Sequence, residues 1–418
     1  MPAFLPPILL GLSFLALLGI VFEEVTHVNK AKVTLFFGTF CWVLLYAFSP
    51  SSHETGFINS AFNENMGEIA SLWLFLVASM TFVAYLNKKG MIENLIYLFM
   101  PKRVNEKALL FLTALFCFVF SSLADNITAT LVSITLILSL KLDKQKTIRF
   151  ATLVVFAVNS GGVALITGDV TTLMIFLAGK IQITELLLLI LPAFIAVMTL
   201  AAIMSFGLSG TITVSSHRTD VRRVDIVIAA VFLLTILATI VGNIAFQLPP
   251  ALTFLMGLSI MFLIARFYHD DEERDAILDY IRTIEFDTLL FFLGILLIVG
   301  MLKEIHILDT LASHYAIVPD YVSNYVIGFI SAIIDNVPLT AALLKSDITM
   351  SKPSWMGLTY AVGAGGSLFI IGSAAGIVAM SKIKGLTFVS HLRYLWMLTL
   401  AYTIGYGGVY LVGNLLLK

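Results

Sequence analysis

The stretch FSSLADNITATLV, residues 120–132, decides the fold, because it places an acid, Asp125, inside a segment whose other residues suit lipid. An ionisable side chain at membrane depth costs about 2.5–3.5 kcal/mol on insertion scales, so its presence demands a structural or chemical reason. The surroundings are apolar throughout: of 418 residues 59% are hydrophobic and 12% charged, and the mean hydropathy is +0.99. That composition marks a polytopic membrane protein, with lipid as the solvent of the bundle. A net charge of -1 excludes the basic signature of nucleic-acid binding. Cys41 and Cys117 both lie in apolar runs and read as small core residues, not as a disulfide or metal pair. The N-terminal run reads as a retained membrane helix, because no basic segment precedes it and no cleavage site follows.

Long apolar runs predict spans near 4–22, 31–48, 67–86, 184–209, 225–246, 249–266, 288–302 and 391–415. Four other stretches, 108–124, 127–140, 147–179 and 354–383, are short or interrupted by polar residues and glycine. Lys88, Lys89, Lys102, Arg103 and Lys107 on one side of Asp125, and Lys141, Lys144, Lys146 and Arg149 on the other, place both flanks in the cytoplasm. The segment between them then enters and leaves on one side, as a re-entrant hairpin with ADNIT at its tip. Arg218, Arg222 and Arg223, then Arg266, Arg274 and Arg282, then Lys382, Lys384 and Arg393 are expected on the same cytoplasmic side, and both termini on the outer side.

This arrangement exposes an internal repeat. SSLADNITAT (121–130) aligns with SAIIDNVPLT (331–340), and NSGGVALITGD (159–169) with GAGGSLFIIGS (363–373). The predicted fold is therefore an all-α polytopic membrane protein of two inverted repeats, each with about five transmembrane helices, one re-entrant hairpin and one broken helix. Residues 1–209 carry a hairpin at about 108–140 and a broken helix at about 147–179; residues 210–418 carry theirs at about 321–350 and 354–383. Inverted repeats with discontinuous helices are a transporter architecture with ligands near the midplane.

Three aspartates, Asp125, Asp169 and Asp335, lie in these interrupted segments with no Lys or Arg near them in sequence. Acids kept protonated at rest and ionised when a cation arrives would suit proton-coupled cation exchange. Asn126, Thr128, Thr130, Asn159, Ser160, Thr167, Thr171 and Thr172 add neutral oxygens of the kind hard cations prefer. The repeat brings in Ser121, Asn336 and Ser373 by position. Asp125-Asn126 and Asp335-Asn336 also suit N-caps at hairpin turns, and capping does not exclude ion binding. The seven histidines lack metal-ligand spacing, and His27, His53, His217, His269, His306, His314 and His391 read as solvated. The acidic run HDDEERD, 269–275, reads as a solvated loop.

Taken together, SSLADNITATL, VNSGGVALITGDVTT and SAIIDNVPLTAAL resemble the NhaD-type sodium/proton antiporters of the ion transporter superfamily. The resemblance implies exchange of Na+ or Li+ for H+ in the service of pH homeostasis. It implies no enzymatic reaction and no cofactor. The setting it implies is a bacterial-type inner membrane and its lipid, with a homodimer moving by an elevator-like shift. Asp125, Asp169 and Asp335 would be the shared acids, Asn126, Thr171 and Thr172 supporting ligands, and Asp125, Asp169 and Thr172 the Na+ ligands. Ser373 replaces Asp169 in the second half, which suggests one dominant site nearer the first. Two alternatives carry different expectations. An anion transporter of the arsenite or dicarboxylate type is disfavoured by three acids. An intramembrane aspartyl protease is disfavoured by Ile166, which stands where its Gly-x-Gly-Asp motif has glycine.

Overall fold

In the computed structural model, residues 2–48, 52–94, 101, 103–213, 220–268 and 276–417 are described. The acidic run 269–275 and the expected loop residues Lys102, His217, Arg218, His269 and Arg274 lie outside them. In chain order the helices are α1 (Leu5–Val21), α2 (Glu23–Thr26), α3 (Lys30–Ala47), α4 (Ser52–Lys88), α5 (Glu106–Leu123), α6 (Asn126–Ser139), α7 (Lys144–Gly162), α8 (Val170–Leu177), α9 (Ile183–Ser205) and α10 (Arg223–Phe246). They continue as α11 (Pro250–Tyr268), α12 (Ala276–Thr283), α13 (Phe286–Glu304), α14 (Asp309–Ile317), α15 (Asp320–Ser331), α16 (Asn336–Lys345), α17 (Lys352–Gly365), α18 (Ala374–Lys382), α19 (Phe388–Leu392) and α20 (Leu395–Leu416).

Seven helices among the described residues are long and apolar enough to cross a membrane, and the chain is an all-α polytopic membrane protein. One of the seven is α5, with 18 residues, so the first arm of the expected hairpin is longer than its sequence run suggested. The one sheet among the described residues is small and was not foreseen: β1 (Arg103–Asn105) pairs antiparallel with β2 (Thr211–Thr213).

Two compact units divide the chain across the sequence repeats. The first comprises residues 1–76, 285–320 and 337–350. Its centre is the packing of α13 on α3, where the Trp42 indole donates to the Leu297 carbonyl at 2.8 Å and the Asn65 amide to Leu296 O at 3.3 Å. Gly38 and Gly294 let α3 and α13 approach closely, and Gly300 leaves room for Asn65, which stands on α4. Lys345 pairs with Glu68 in the same unit.

The second unit comprises residues 77–284, 321–336 and 351–418, and it holds both broken helices. The hairpin arms α5 and α6 fold back on one another, since Cys117 Sγ donates to Ser133 Oγ at 3.2 Å across the turn at Ala124–Asp125. At one end of this unit the basic segments meet. Lys146 Nζ lies 2.7 Å from Glu106 Oε1, Arg149 donates to the carbonyls of Met204 and Phe206, β1 joins β2, and Gly385 lies against Lys144. At the other end Lys352 Nζ donates to Lys180 O at 3.0 Å and lies 3.4 Å from Glu185. The broken helix α7–α8, which starts at Lys144, thus ends where the one starting at Lys352 begins. The two broken helices run antiparallel.

A tyrosine stripe that sequence reading passed over fixes α15 to α20: Tyr402 OH donates to Tyr325 O at 3.0 Å and Tyr406 OH to Tyr321 O at 2.8 Å. One histidine reading is overturned. His27, His306 and His314 are exposed, whereas His391 is fully buried ahead of α20, with Nε2 2.9 Å from Ser367 O and Nδ1 3.3 Å from the Thr152 hydroxyl.

Candidate functional site

Both broken helices stop at glycine and restart at a capping oxygen. α7 ends at Gly162, residues 163–168 turn, and Asp169, itself extended, accepts at Oδ1 from Thr171 N at 2.9 Å to cap α8. α17 ends at Gly365, and Ser373 Oγ accepts from Gly376 N at 3.3 Å to cap α18. A helix N-terminus leaves unpaired N–H groups, and Asp and Ser are the side chains that fill that need.

The two halves make the same contacts at matching positions. Ser121 Oγ lies 2.8 Å from Val158 O, and Ser331 Oγ donates to Val362 O at 2.7 Å. A Cβ on Gly168 would meet Ser121 O at 2.4 Å, and one on Gly372 would meet Ser331 O at 2.3 Å. Glycine is needed there because two backbones touch. The breaks also face each other: Asn159 Nδ2 donates to Ser373 Oγ at 2.9 Å, and Gly363 lies against both Asn159 O and Asp169 Oδ2.

Asp125 is half-buried, and both its oxygens are engaged within its own turn. Oδ1 accepts from Thr128 N at 2.9 Å and Oδ2 from the Thr128 hydroxyl at 2.8 Å. It is an N-cap of α6. The neighbour Asn126 reaches further: its Oδ1 accepts from the Ser121 hydroxyl at 2.8 Å, and its Nδ2 donates to Asp169 Oδ2 at 3.1 Å. Hairpin tip and first helix break therefore meet at an amide–carboxylate contact. Thr167 closes the same joint by donating to Ser122 O at 2.8 Å, a partner that sequence reading did not single out.

Asp169 is 5% exposed and Thr171, Thr172, Asn159 and Ser160 are fully buried. Four buried oxygens in this group have no hydrogen-bond partner among the described residues: Asn159 Oδ1, Ser160 Oγ, Thr171 Oγ1 and Thr172 Oγ1. The Thr171 hydroxyl lies beside Asp169 but outside hydrogen-bond geometry, and Ser160 stands in the same way to Tyr360 OH. Leaving a buried polar group unpaired costs about 1–3 kcal/mol, so such a concentration calls for a ligand. Tyr360 was missed because its match in the first half, Phe156, carries no hydroxyl.

Asp335 and Asn336 are buried at the start of α16, 8% and 6% exposed. No three of the described His, Cys, Asp or Glu side chains form a metal-binding group, so Asp125, Asp169 and Asp335 do not converge as one three-acid cluster. Asp169 is bonded by Asn126 from the hairpin tip and caps α8 ahead of Thr171 and Thr172. Cys41 and Cys117 are free and buried.

The family model described as citrate transporter matches residues 10–363. The Na(+)/H(+) antiporter NhaD of Alkalimonas amylolytica is 30% identical over 402 residues, covering 89% of this chain and 83% of that protein. NhaD of Vibrio parahaemolyticus is 29% identical over 404 residues, covering 90% and 98%. Sodium/proton antiporter 1 of Arabidopsis thaliana is 29% identical over 394 residues, covering 88% and 65%.

Proposed function

Because the chain belongs to the citrate transporter family and to the NhaD-type antiporters within reach of it, we propose that it is a secondary transporter exchanging Na+ for H+ across the membrane. The observation that carries this reading is the buried Asp169 carboxylate amid unpartnered oxygens of Asn159, Thr171 and Thr172. Na+ is a hard cation that takes carboxylate, hydroxyl and amide oxygens. A single carboxylate can hold the ion or the proton but gains little from both, and that exclusion couples the two flows. No Lys or Arg pairs with Asp169 among the described residues.

In this reading Asn126 orients the Asp169 carboxylate from the hairpin tip, Asp125 and Ser373 hold helix starts in register, and Thr128 locks Asp125. Asp335 and Asn336 lie at the second hairpin. The matched contacts of the two halves and the antiparallel broken helices support an inverted repeat with boundaries near 1–209 and 210–418. Basic segments gathered at one end support a cytoplasmic face there, with the chain termini on the other side. Li+ fits the same oxygens. An elevator-like movement of a homodimer in a bacterial inner membrane is the working scheme for alternating access.

The test is a preset pH gradient in everted vesicles. Addition of Na+ or Li+ should dissipate it, with K+ as the contrast and runs with and without a membrane potential to read the charge balance. Citrate uptake with no cation-dependent pH change would replace this reading with anion transport, to which the family's description points. Within the site, Thr172→Val keeps the shape and removes an oxygen that bonds nothing in the described protein. We expect roughly tenfold weaker half-saturation by Na+, about 1.4 kcal/mol, with an unchanged unfolding temperature.

A further inference from the structure

A cleft of about 110 Å³ lies where α6 ends, lined by Asn87, Glu93, Thr135, Ser139 and the apolar Leu131, Val132 and Leu136. We propose that this cleft is the cytoplasmic vestibule through which cations approach the hairpin tip, with Glu93 concentrating them at its mouth. The inference rests on the exchange reading above for what passes through, and on the following geometry for the route.

Positions 128, 132, 135 and 139 recur at helical spacing, so Thr128, Val132, Thr135 and Ser139 line one face of α6. That face begins at the Asp125–Thr128 cap and ends in the cleft. Thr135 lies ten residues beyond Asp125, a rise of about 15 Å. Thr135 and Ser139 are exposed and bond their own helix carbonyls, leaving hydroxyl lone pairs open to water. A volume of 110 Å³ holds several waters, at about 30 Å³ each in the liquid.

Charge at the mouth is set by where the neighbouring lysines go. Lys88 Nζ stands 4.9 Å from the centroid of the Tyr280 ring and Lys89 Nζ 5.8 Å from that of Tyr85. Both cations are therefore drawn onto aromatic faces, and neither lines the cleft. Glu93 is the one charged side chain among the described residues that does. A concave site with a single negative charge raises the local concentration of cations and speeds their arrival.

Two measurements test this. Cysteines placed at Thr135 and Ser139, in a chain whose own Cys41 and Cys117 are buried, should react in everted vesicles with a membrane-impermeant cationic thiol reagent. Reaction only with a membrane-permeant reagent would mean a lipid-filled crevice and overturn the vestibule. In transport, Glu93→Lys should raise half-saturating Na+ several-fold at low ionic strength with maximal rate unchanged, and the difference should shrink in high salt as screening shortens the field's reach. An unchanged half-saturation at low ionic strength would overturn the role of Glu93. Labelling does not depend on exchange: labelled vesicles without Na+-driven proton movement would sink the exchange reading while leaving a water-filled vestibule, and unlabelled vesicles with normal exchange would sink the vestibule alone.

Discussion

Asp169→Asn is expected to reduce Na+-driven proton release to the level of vesicles lacking the protein. Asn caps a helix start about as well as Asp, so α8 should still begin at residue 170 and the variant should fold. What the substitution removes is a charge that can be exchanged between ion and proton. Normal exchange by Asp169→Asn would refute the assignment of this acid. Asp125→Asn makes the contrast informative. Both Asp125 oxygens are engaged by Thr128 in capping α6, and an amide oxygen can retain the backbone bond. We therefore expect Asp125→Asn to retain part of the activity with weaker Na+ half-saturation. Complete loss there, with correct folding, would make Asp125 an ion ligand in its own right.

The second large effect is expected at Gly168. A methyl group there would lie 2.4 Å from Ser121 O, 2.7 Å from Gly162 Cα and 2.8 Å from Gly162 O. All three are backbone atoms, so no flexible side chain can yield. Gly168→Ala must push the hairpin away from the helix break, lengthening the 3.1 Å contact between Asn126 and Asp169. Overpacking of this kind costs about 1–3 kcal/mol. The expected result is a lowered unfolding temperature and loss of most Na+-driven exchange. Gly372→Ala should behave alike through Ser331 O at 2.3 Å. Gly67→Ala, where a methyl meets nothing within 4 Å, is the control. Unimpaired exchange by Gly168→Ala would show that the joint between hairpin and break is not needed for binding.

Much of the site was legible because its signals are local. An Asp-Asn pair inside an apolar run flanked by lysines announces a turn with a cap, and the structure has α5 and α6 meeting there at Ala124–Asp125. Glycines followed by Asp169 or Ser373 announce a helix that stops and restarts, and α7/α8 and α17/α18 do so. His391 misled because it lies among basic residues at a span end, where hydropathy reads solvent, while Thr152 and Ser367, which enclose it, are distant in sequence or in the other broken helix. The tyrosines of α20 carry no local signal of their partners, because the carbonyls their hydroxyls bond belong to α15, more than 70 residues earlier.

By itself, then, the sequence determined the class of fold, the places where helices break and the residue types that could hold a cation, since hydropathy, capping and glycine spacing act within a few residues. Only the tertiary structure decided that Asn126, and not Asp125, reaches from the hairpin tip to Asp169. Asn126 and Asp169 are 43 residues apart and Asn159 and Ser373 are 214 apart. Their meeting depends on how two antiparallel broken helices pack around glycines, and that packing is a property of surfaces brought together, which no local pattern records.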